Sequence, residues 1–236
     1  MRTRRESIMN WILLVVILMN AFLAAASAEC ASEEERYVFK SDDNEEHFYI
    51  YDNKEKTPVT EAKFKPEENG FGATPSFQEG LAIVSTDGKT LYYVDYQGND
   101  VTGRRFEYAG EWENGLAIVC EKGIDKYGIM NRSFEYVVDP VYECIENVVY
   151  LDVEDGEYKS GKFYRLYTEY GPDRYESGLY SQIDGLIIDC DLMFICALET
   201  GEWYAQDDKD RGNIYNDKGE IIKADVPFAD IPEWVE

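Results

Sequence analysis

Apolar and polar residues in this chain alternate in short runs, the period of two that sends successive side chains to opposite faces of a β-strand. The runs "FYIY" at Phe48, "LYYVDY" at Leu91 and "FYRLY" at Phe163 have this character, and they are rich in the aromatic and β-branched residues that strands favour. "GLAIV" occurs twice, at Gly80 and at Gly115, as a compact apolar run. Between the runs stand turn residues. Asp87-Gly88 predicts a two-residue hairpin bend, and Gly98 in "YQGN" predicts the next turn. No long helical period follows Ala28, so the pattern predicts an all-β chain with helix confined to the N-terminal segment and short turns.

The runs recur at a fixed interval. "FQEGLAIV" at Phe77 aligns with "WENGLAIV" at Trp112, 35 residues on; the same offset carries "YYVDYQGN" at Tyr92 onto "YGIMNRSF" at Tyr127, and an offset of 36 carries "FEYA" at Phe106 onto "YECI" at Tyr142. Three blocks in one order at one spacing define an internal repeat. Weaker copies flank it, "FYIYDNKEKTPV" at Phe48 and "RGNIYNDKGEII" at Arg211, the latter with Gly212, Ile214, Asp217, Gly219 and Ile222 in register. "GLYSQIDGLIID" at Gly178 has the same strand-turn-strand texture, with Asp184-Gly185 at the bend.

These blocks resemble the WG-repeat family, found mainly in bacterial proteins. The matching residues are Phe77, Glu79, Gly80, Leu81, Ala82, Val84, Asp95 and Gly98 in one unit, and Trp112, Gly115, Leu116, Ala117, Val119, Tyr127 and Gly128 in the next. The Trp-Gly pair that names the family reads as Tyr92-Tyr93 in the first unit and Tyr127-Gly128 in the second. The resemblance implies an all-β array of stacked hairpin repeats of about 35 residues, solenoid-like or propeller-like, in which each unit buries a face against its neighbour. Residues 48–145 carry the clear repeats. Residues 146–236 read as diverged repeats with an acidic C-terminal tail, and residues 29–47 as an acidic lead segment.

The first 28 residues change the picture. Arg2, Arg4 and Arg5 precede an apolar run from Trp11 to Ala28 that ends in Ala26-Ser27-Ala28, the pattern of a secretory signal helix cleaved after Ala28. An uncleaved run of this length would instead anchor the chain with the remainder outside. Either way the remainder is expected outside the cytoplasm, secreted or in the cell envelope. Glu29 disfavours lipidation of Cys30, because a lipid-attachment site takes a small residue there.

The whole chain carries a net charge of −25. Such a surface repels phosphate backbones, which excludes nucleic acid as a partner class. Five cysteines, Cys30, Cys120, Cys144, Cys190 and Cys196, would lie where disulfides persist. Cys120 and Cys144, on neighbouring strands in the repeat reading, are the preferred bridge. Cys190 and Cys196 can pair only if "DLMFI" between them bends.

Catalytic motifs fail on inspection. Gly88-Lys89-Thr90 has Ile83 where a phosphate loop needs its first glycine, and a strand follows where a helix is required. "GFGATP" at Gly70 has Pro75 where a dinucleotide fingerprint has glycine. His47 is the only histidine, with no nucleophile motif beside it. "QDDKDRGN" at Gln206 places Gly212 where a calcium loop needs a ligand. Asn131-Arg132-Ser133 is a formal glycosylation acceptor, meaningful only in a glycosylating host. No catalytic, cofactor-binding or metal-ligating residue is assigned.

The chain is therefore expected to be an exported, non-catalytic β-scaffold. Its partner would be a protein or cell-envelope ligand, held at exposed loops on one edge of the array or on exposed tyrosines. The membrane would be touched only through an uncleaved N-terminal segment. The alternative is an envelope enzyme acting on carbohydrate through paired carboxylates, and a self-associating surface protein stands third.

Overall fold

A computed structural model describes residues 33–44, 46–66, 74–170, 175–207 and 211–235. The expected signal segment, Cys30, Gly70 to Ala73 of "GFGATP" and Asp208 to Asp210 of the calcium candidate lie outside the described residues. The described residues are nearly all β. No described helix is long and apolar enough to cross a membrane. The chain divides into two compact units, Met1–Gly103 and Arg104–Glu236.

The N-terminal unit holds β1 (Tyr37–Ser41), β2 (Phe48–Asp52), β3 (Thr57–Pro58), β4 (Phe77–Gln78), β5 (Leu81–Ser85) and β6 (Leu91–Val94). β1, β2 and β3 form an antiparallel meander, and β4 pairs with β5 and β5 with β6. Alternation does what the sequence predicts: Phe48, Ile50 and Asp52 of β2 are buried while Tyr49 and Tyr51 are partly exposed. The core gathers Tyr37, Phe39, Phe48, Ile50, Phe64, Phe77, Val84 and Val94, with the Phe39 and Phe77 rings stacked at 5.1 Å.

The C-terminal unit consists of β7 (Phe106–Ala109), β8 (Leu116–Glu121), β9 (Tyr127–Asn131) and β10 (Tyr136–Tyr142); β11 (Cys144–Asp152), β12 (Glu157–Tyr170), β13 (Tyr175–Ser181) and β14 (Gly185–Leu192); and β15 (Phe194–Ala197), β16 (Trp203–Gln206), β17 (Arg211–Tyr215) and β18 (Ile221–Pro227). Within each group of four, every strand pairs antiparallel with the next in sequence. The described part of residues 146–176, diverged in sequence, thus still contributes regular hairpin strands. Apolar clusters centred on Ile129 and Leu166, on Phe163 and Trp203, and on Leu198 and Tyr204 fill the unit.

The repeat is structural. Leu81-Ala82-Ile83-Val84-Ser85 and Leu116-Ala117-Ile118-Val119-Cys120 share one burial pattern, two buried, one half-buried, two buried. Both are entered through a two-residue turn with positive φ at both positions, Glu79-Gly80 (51° and 84°) and Asn114-Gly115 (51° and 78°). That is the backbone which matches the twist of a tight hairpin, and glycine adopts it without steric cost. The "EG" and "NG" of the motif are therefore the bend itself.

Three expectations need correction. Asp87-Gly88 is not a two-residue bend: β5 ends at Ser85 and β6 begins at Leu91, so the loop has five residues. Asp87 closes it by accepting the Lys89 and Thr90 amides at 2.9 and 2.7 Å, and Ser85 Oγ accepts the Gly88 amide. The amides a phosphate loop would offer are already taken. The second strands align at 36 residues, not 35, because Val84 faces Tyr92 whereas Val119 faces Gly128. The Trp-Gly positions are thus Leu91-Tyr92 and Tyr127-Gly128, and one more residue separates the paired Cys120 and Tyr127 than separates the paired Ser85 and Leu91.

The preferred disulfide is also absent. Cys120, Cys144, Cys190 and Cys196 are all free thiols. Cys120 on β8 faces Tyr127 on β9, which faces Tyr142 on β10, so β9 intervenes. Two strand spacings of about 4.8 Å each exceed the roughly 7 Å a disulfide spans. Between Cys190 and Cys196 the chain does bend, at Met193, yet the two thiols occupy different sheets.

Candidate functional site

The aromatic residues are mostly core or half-buried. Among the described ones only Tyr108, Tyr158, Phe228 and Trp234 are exposed to 40% or more. A continuous tyrosine platform is therefore not what the fold displays. The loop edge is more informative.

A groove of about 400 Å³ opens in the C-terminal unit where three hairpin turns meet. Its floor comes from Tyr150 on β11 and Phe163 on β12, whose rings meet edge to face at 5.0 Å. Phe163 in turn sits edge to face on buried Trp203 at 4.8 Å, so the floor is anchored in the core. Edge-to-face geometry aligns the positive ring rim with a negative face. Lys162 lies over both floor rings, its Nζ 4.8 Å from the Phe163 centroid and 5.6 Å from that of Tyr150. A cation on an aromatic face is held by the ring quadrupole.

The rim is acidic. The turn between β11 and β12 supplies Asp152, Val153 and Glu154; the turn before β16 supplies Gly201 and Glu202; the turn before β18 supplies Asn216 and Asp217. Asp152 accepts the Glu154 amide at 3.0 Å and the Lys159 ammonium at 2.7 Å, and Lys159 also pairs with Asp155. The Lys159 hydrogen bond comes first among the causes that hold the Asp152 and Asp155 carboxyls below the usual carboxylate range. Glu202 accepts the Thr200 hydroxyl at 3.0 Å. Asp217 stands 4.0 Å from Lys162, the outer limit of an ion pair. The two turns that carry Val153 and Gly201 are in close contact: a Cβ on Gly201 would lie 2.7 Å from a Val153 methyl.

Asn216 is set by its own loop, whose side-chain oxygen accepts the Lys218 and Glu220 amides at 3.0 and 2.9 Å. This corrects the register of the late repeat: Asn216, not Asp217, stands where Asp95 stands, so Asp217 stays outside the turn's own side-chain hydrogen bonds and lines the groove beside Lys162. No group of three or more potential metal ligands occurs among the described residues. His47 lies in the other unit, 3.4 Å from Asp42.

The sequence marks none of these groove residues as a site; Phe163 and Asp217 stand out in it only as strand and repeat residues. The turn residues were visible as turns, but their convergence depends on the packing of one sheet against the next.

Hairpin repeats arranged as antiparallel sheets define this chain as an all-β repeat protein. Its repeat is of WG type: the model of the WG containing repeat matches residues 93–123, from the second strand of one hairpin through the first long strand of the next. No curated protein matches the chain. Solved structures with which it shares distant similarity include Kluyveromyces lactis Hsv2 with complete loop 6CD (14% identity, 77% of this chain and 57% of that one, TM-score 0.41). Kluyvelomyces marxianus Hsv2 is similar at 16% identity, over 77% of this chain and 60% of that one, with TM-score 0.38. BamB from Moraxella catarrhalis is similar at 11% identity, over 81% and 62%, with TM-score 0.33. This chain spans less than two thirds of each of these three.

Proposed function

We propose that this chain is an exported, non-catalytic WG-repeat scaffold that binds a protein or cell-envelope ligand at the loop-edge groove of its C-terminal unit. One observation carries this reading: three turns from two sheets converge on an aromatic floor ringed by carboxylates, with Asp217 not bound into a turn. Loops on a rigid β-scaffold are the usual place for recognition. The rim selects for a ligand with positive charge, and the floor offers ring surface once Lys162 swings aside. Export is supported by the arginine-led apolar run that ends at Ala28.

Capture from envelope extracts tests it, with the chain as bait and Glu202→Lys/Asp217→Lys as the matched control. A saturable partner that is lost on charge reversal is expected. A partner held equally by both baits rejects the groove. Export has its own check, an N-terminus at Glu29 on the protein recovered outside the cytoplasm; recovery only from the cytosol rejects it.

The carbohydrate-hydrolase reading has the same groove to work with, since carboxylates line it. A hydrolase needs one carboxyl that keeps its proton near neutrality. Among the described residues the carboxyls whose proton affinity moves, Asp42, Asp52, Asp87, Asp152, Asp155 and Asp225, all move down. Turnover in a polysaccharide screen, abolished by Glu202→Gln or Asp217→Asn, would replace the binding reading with the hydrolase.

A further inference from the structure

We propose that a second cavity of the C-terminal unit, about 180 Å³ in volume, binds a small free monocarboxylic acid: Arg165 takes the carboxylate, and Met193, Phe194 and Ile195 take the apolar body. The site is separate from the acidic groove and has the opposite charge.

Arg165 and Tyr167 lie two apart on β12 and so on one face, and Ser177 on β13 sits directly opposite Tyr167. All three line the cavity. Arg165 also faces Glu146 on β11, its one carboxylate partner among the described residues. That pairing is loose. Glu146 Oε2 lies 3.5 Å from Arg165 Nη1 but accepts the Tyr167 hydroxyl at 2.7 Å, and the Tyr167 oxygen in turn accepts Nη1 at 3.1 Å. The carboxylate is therefore engaged mainly by Tyr167.

The other edge of the guanidinium has no such partner. Arg165 Nε is buried and has no hydrogen-bond partner among the described residues. The Nε–H and one Nη2–H point the same way and make the fork that grips a carboxylate through two parallel bonds. An unmet donor on a charged group costs more than an unmet neutral one. The chain carries 48 Asp and Glu, yet none of those described satisfies this nitrogen.

The apolar side is formed where the chain bends from one sheet to the next. Met193 is 40% exposed and unbranched, so it can move to admit an occupant. Phe194 is braced edge to face by Phe228 at 5.6 Å and by Trp234 at 5.7 Å. The volume fits one ring, since a cavity of about 150 Å³ holds benzene. Ser177 donates to the Leu192 carbonyl at 3.1 Å and Tyr167 to Glu146 at 2.7 Å, so neither lining hydroxyl is an idle neutral donor that would favour an uncharged ligand.

The test titrates the full chain, as recovered from the producing cell, with 3-phenylpropanoate and with 3-phenylpropanamide, which matches it in shape but lacks the charge. Binding is read by calorimetry and by the Nε–H resonance of Arg165. The acid should bind saturably, roughly 10- to 100-fold more tightly than the amide, the range expected of a charge-assisted hydrogen bond, and should move the Nε–H resonance downfield. Glu146→Gln should tighten acid binding and Arg165→Met should abolish it. Equal binding of acid and amide, or no effect of Arg165→Met, overturns the proposal. Should Arg165→Met not fold, the acid and amide on the unaltered chain and the Glu146→Gln variant still decide. Tighter binding of N-acetylglycyl-phenylalanine than of the free acid would overturn the free-acid assignment in favour of a peptide C-terminus.

Discussion

Asp95 and Asn131, 36 residues apart, hold the same loop closed in the same way. Each side-chain oxygen accepts the amides two and four residues downstream, Gln97 and Asn99 in one case, Ser133 and Glu135 in the other. Each backbone carbonyl also accepts the amide three residues on, from Gly98 and from Phe134, both with positive φ. Asn216 repeats the pattern with Lys218, Glu220 and Gly219. Short polar side chains are favoured here because they satisfy amides that the turn strips from the ladder. Replacing Asp95, Asn131 or Asn216 by Ala should each lower stability by about 1 kcal/mol, and Asn131→Asp should retain most of it. Urea denaturation midpoints check this; three unchanged midpoints would show that the loops close without these side chains.

Gly128 is required by what covers it. A Cβ there would lie 2.7 Å from the Val138 carbonyl oxygen and 2.9 Å from the Tyr136 ring. Tyr136 cannot easily yield, since its hydroxyl donates to Glu121 and the Arg104 guanidinium lies over its ring. Gly128→Ala should cost about 1–3 kcal/mol through overpacking. Thermal unfolding reads it, with Tyr136→Ala/Gly128→Ala as the relief control: the glycine substitution should cost less in the Tyr136→Ala background.

The Arg36–Asp52 pair gives the N-terminal unit an acid limit. Arg36 Nη2 donates to Asp52 at 2.7 Å and Nε donates to both its oxygens. The Arg36 hydrogen bond is the leading cause that brings the Asp52 carboxyl down to about 2, while Arg36 itself is pushed up. A carboxyl held below its unfolded value of about 3.9 stabilises the fold above that pH and loses the contribution as pH falls. The unfolding midpoint should therefore drop between about pH 4 and pH 2. Asp52→Asn should lower stability at pH 7 and flatten that limb; an unaltered pH profile in the variant would refute the assignment.

The thiols should resist both oxidation and alkylation while the fold is intact. Burial is the first cause that pushes Cys196 up to about 12 and Cys190 up to about 11, and only the thiolate reacts. Iodoacetamide at pH 8 should label Cys196 slowly in the native protein and rapidly in denaturant. Non-reducing mass mapping should find Cys120 and Cys144 unlinked, and a bridge between them would contradict the strand order described above.

Residues in the sequence alone determine which segments pair locally. The alternation in "FYIY", the twin "GLAIV" runs and the 35-residue interval follow from side-chain period and backbone preference, quantities that belong to neighbouring residues. The same local chemistry showed that Gly88-Lys89-Thr90 is a bend. Tertiary structure decided everything that needed a register or a neighbour. The extra residue before β9 shifted the second strand by one and moved the Trp-Gly positions, because hydrogen-bonded pairing, not similarity of letters, sets the register. β9 separates Cys120 from Cys144, a matter of strand order that spacing does not encode. The acidic groove and the Arg165 cavity arise where strands far apart in the chain pack together, so their residues carry no sequence signal of their own.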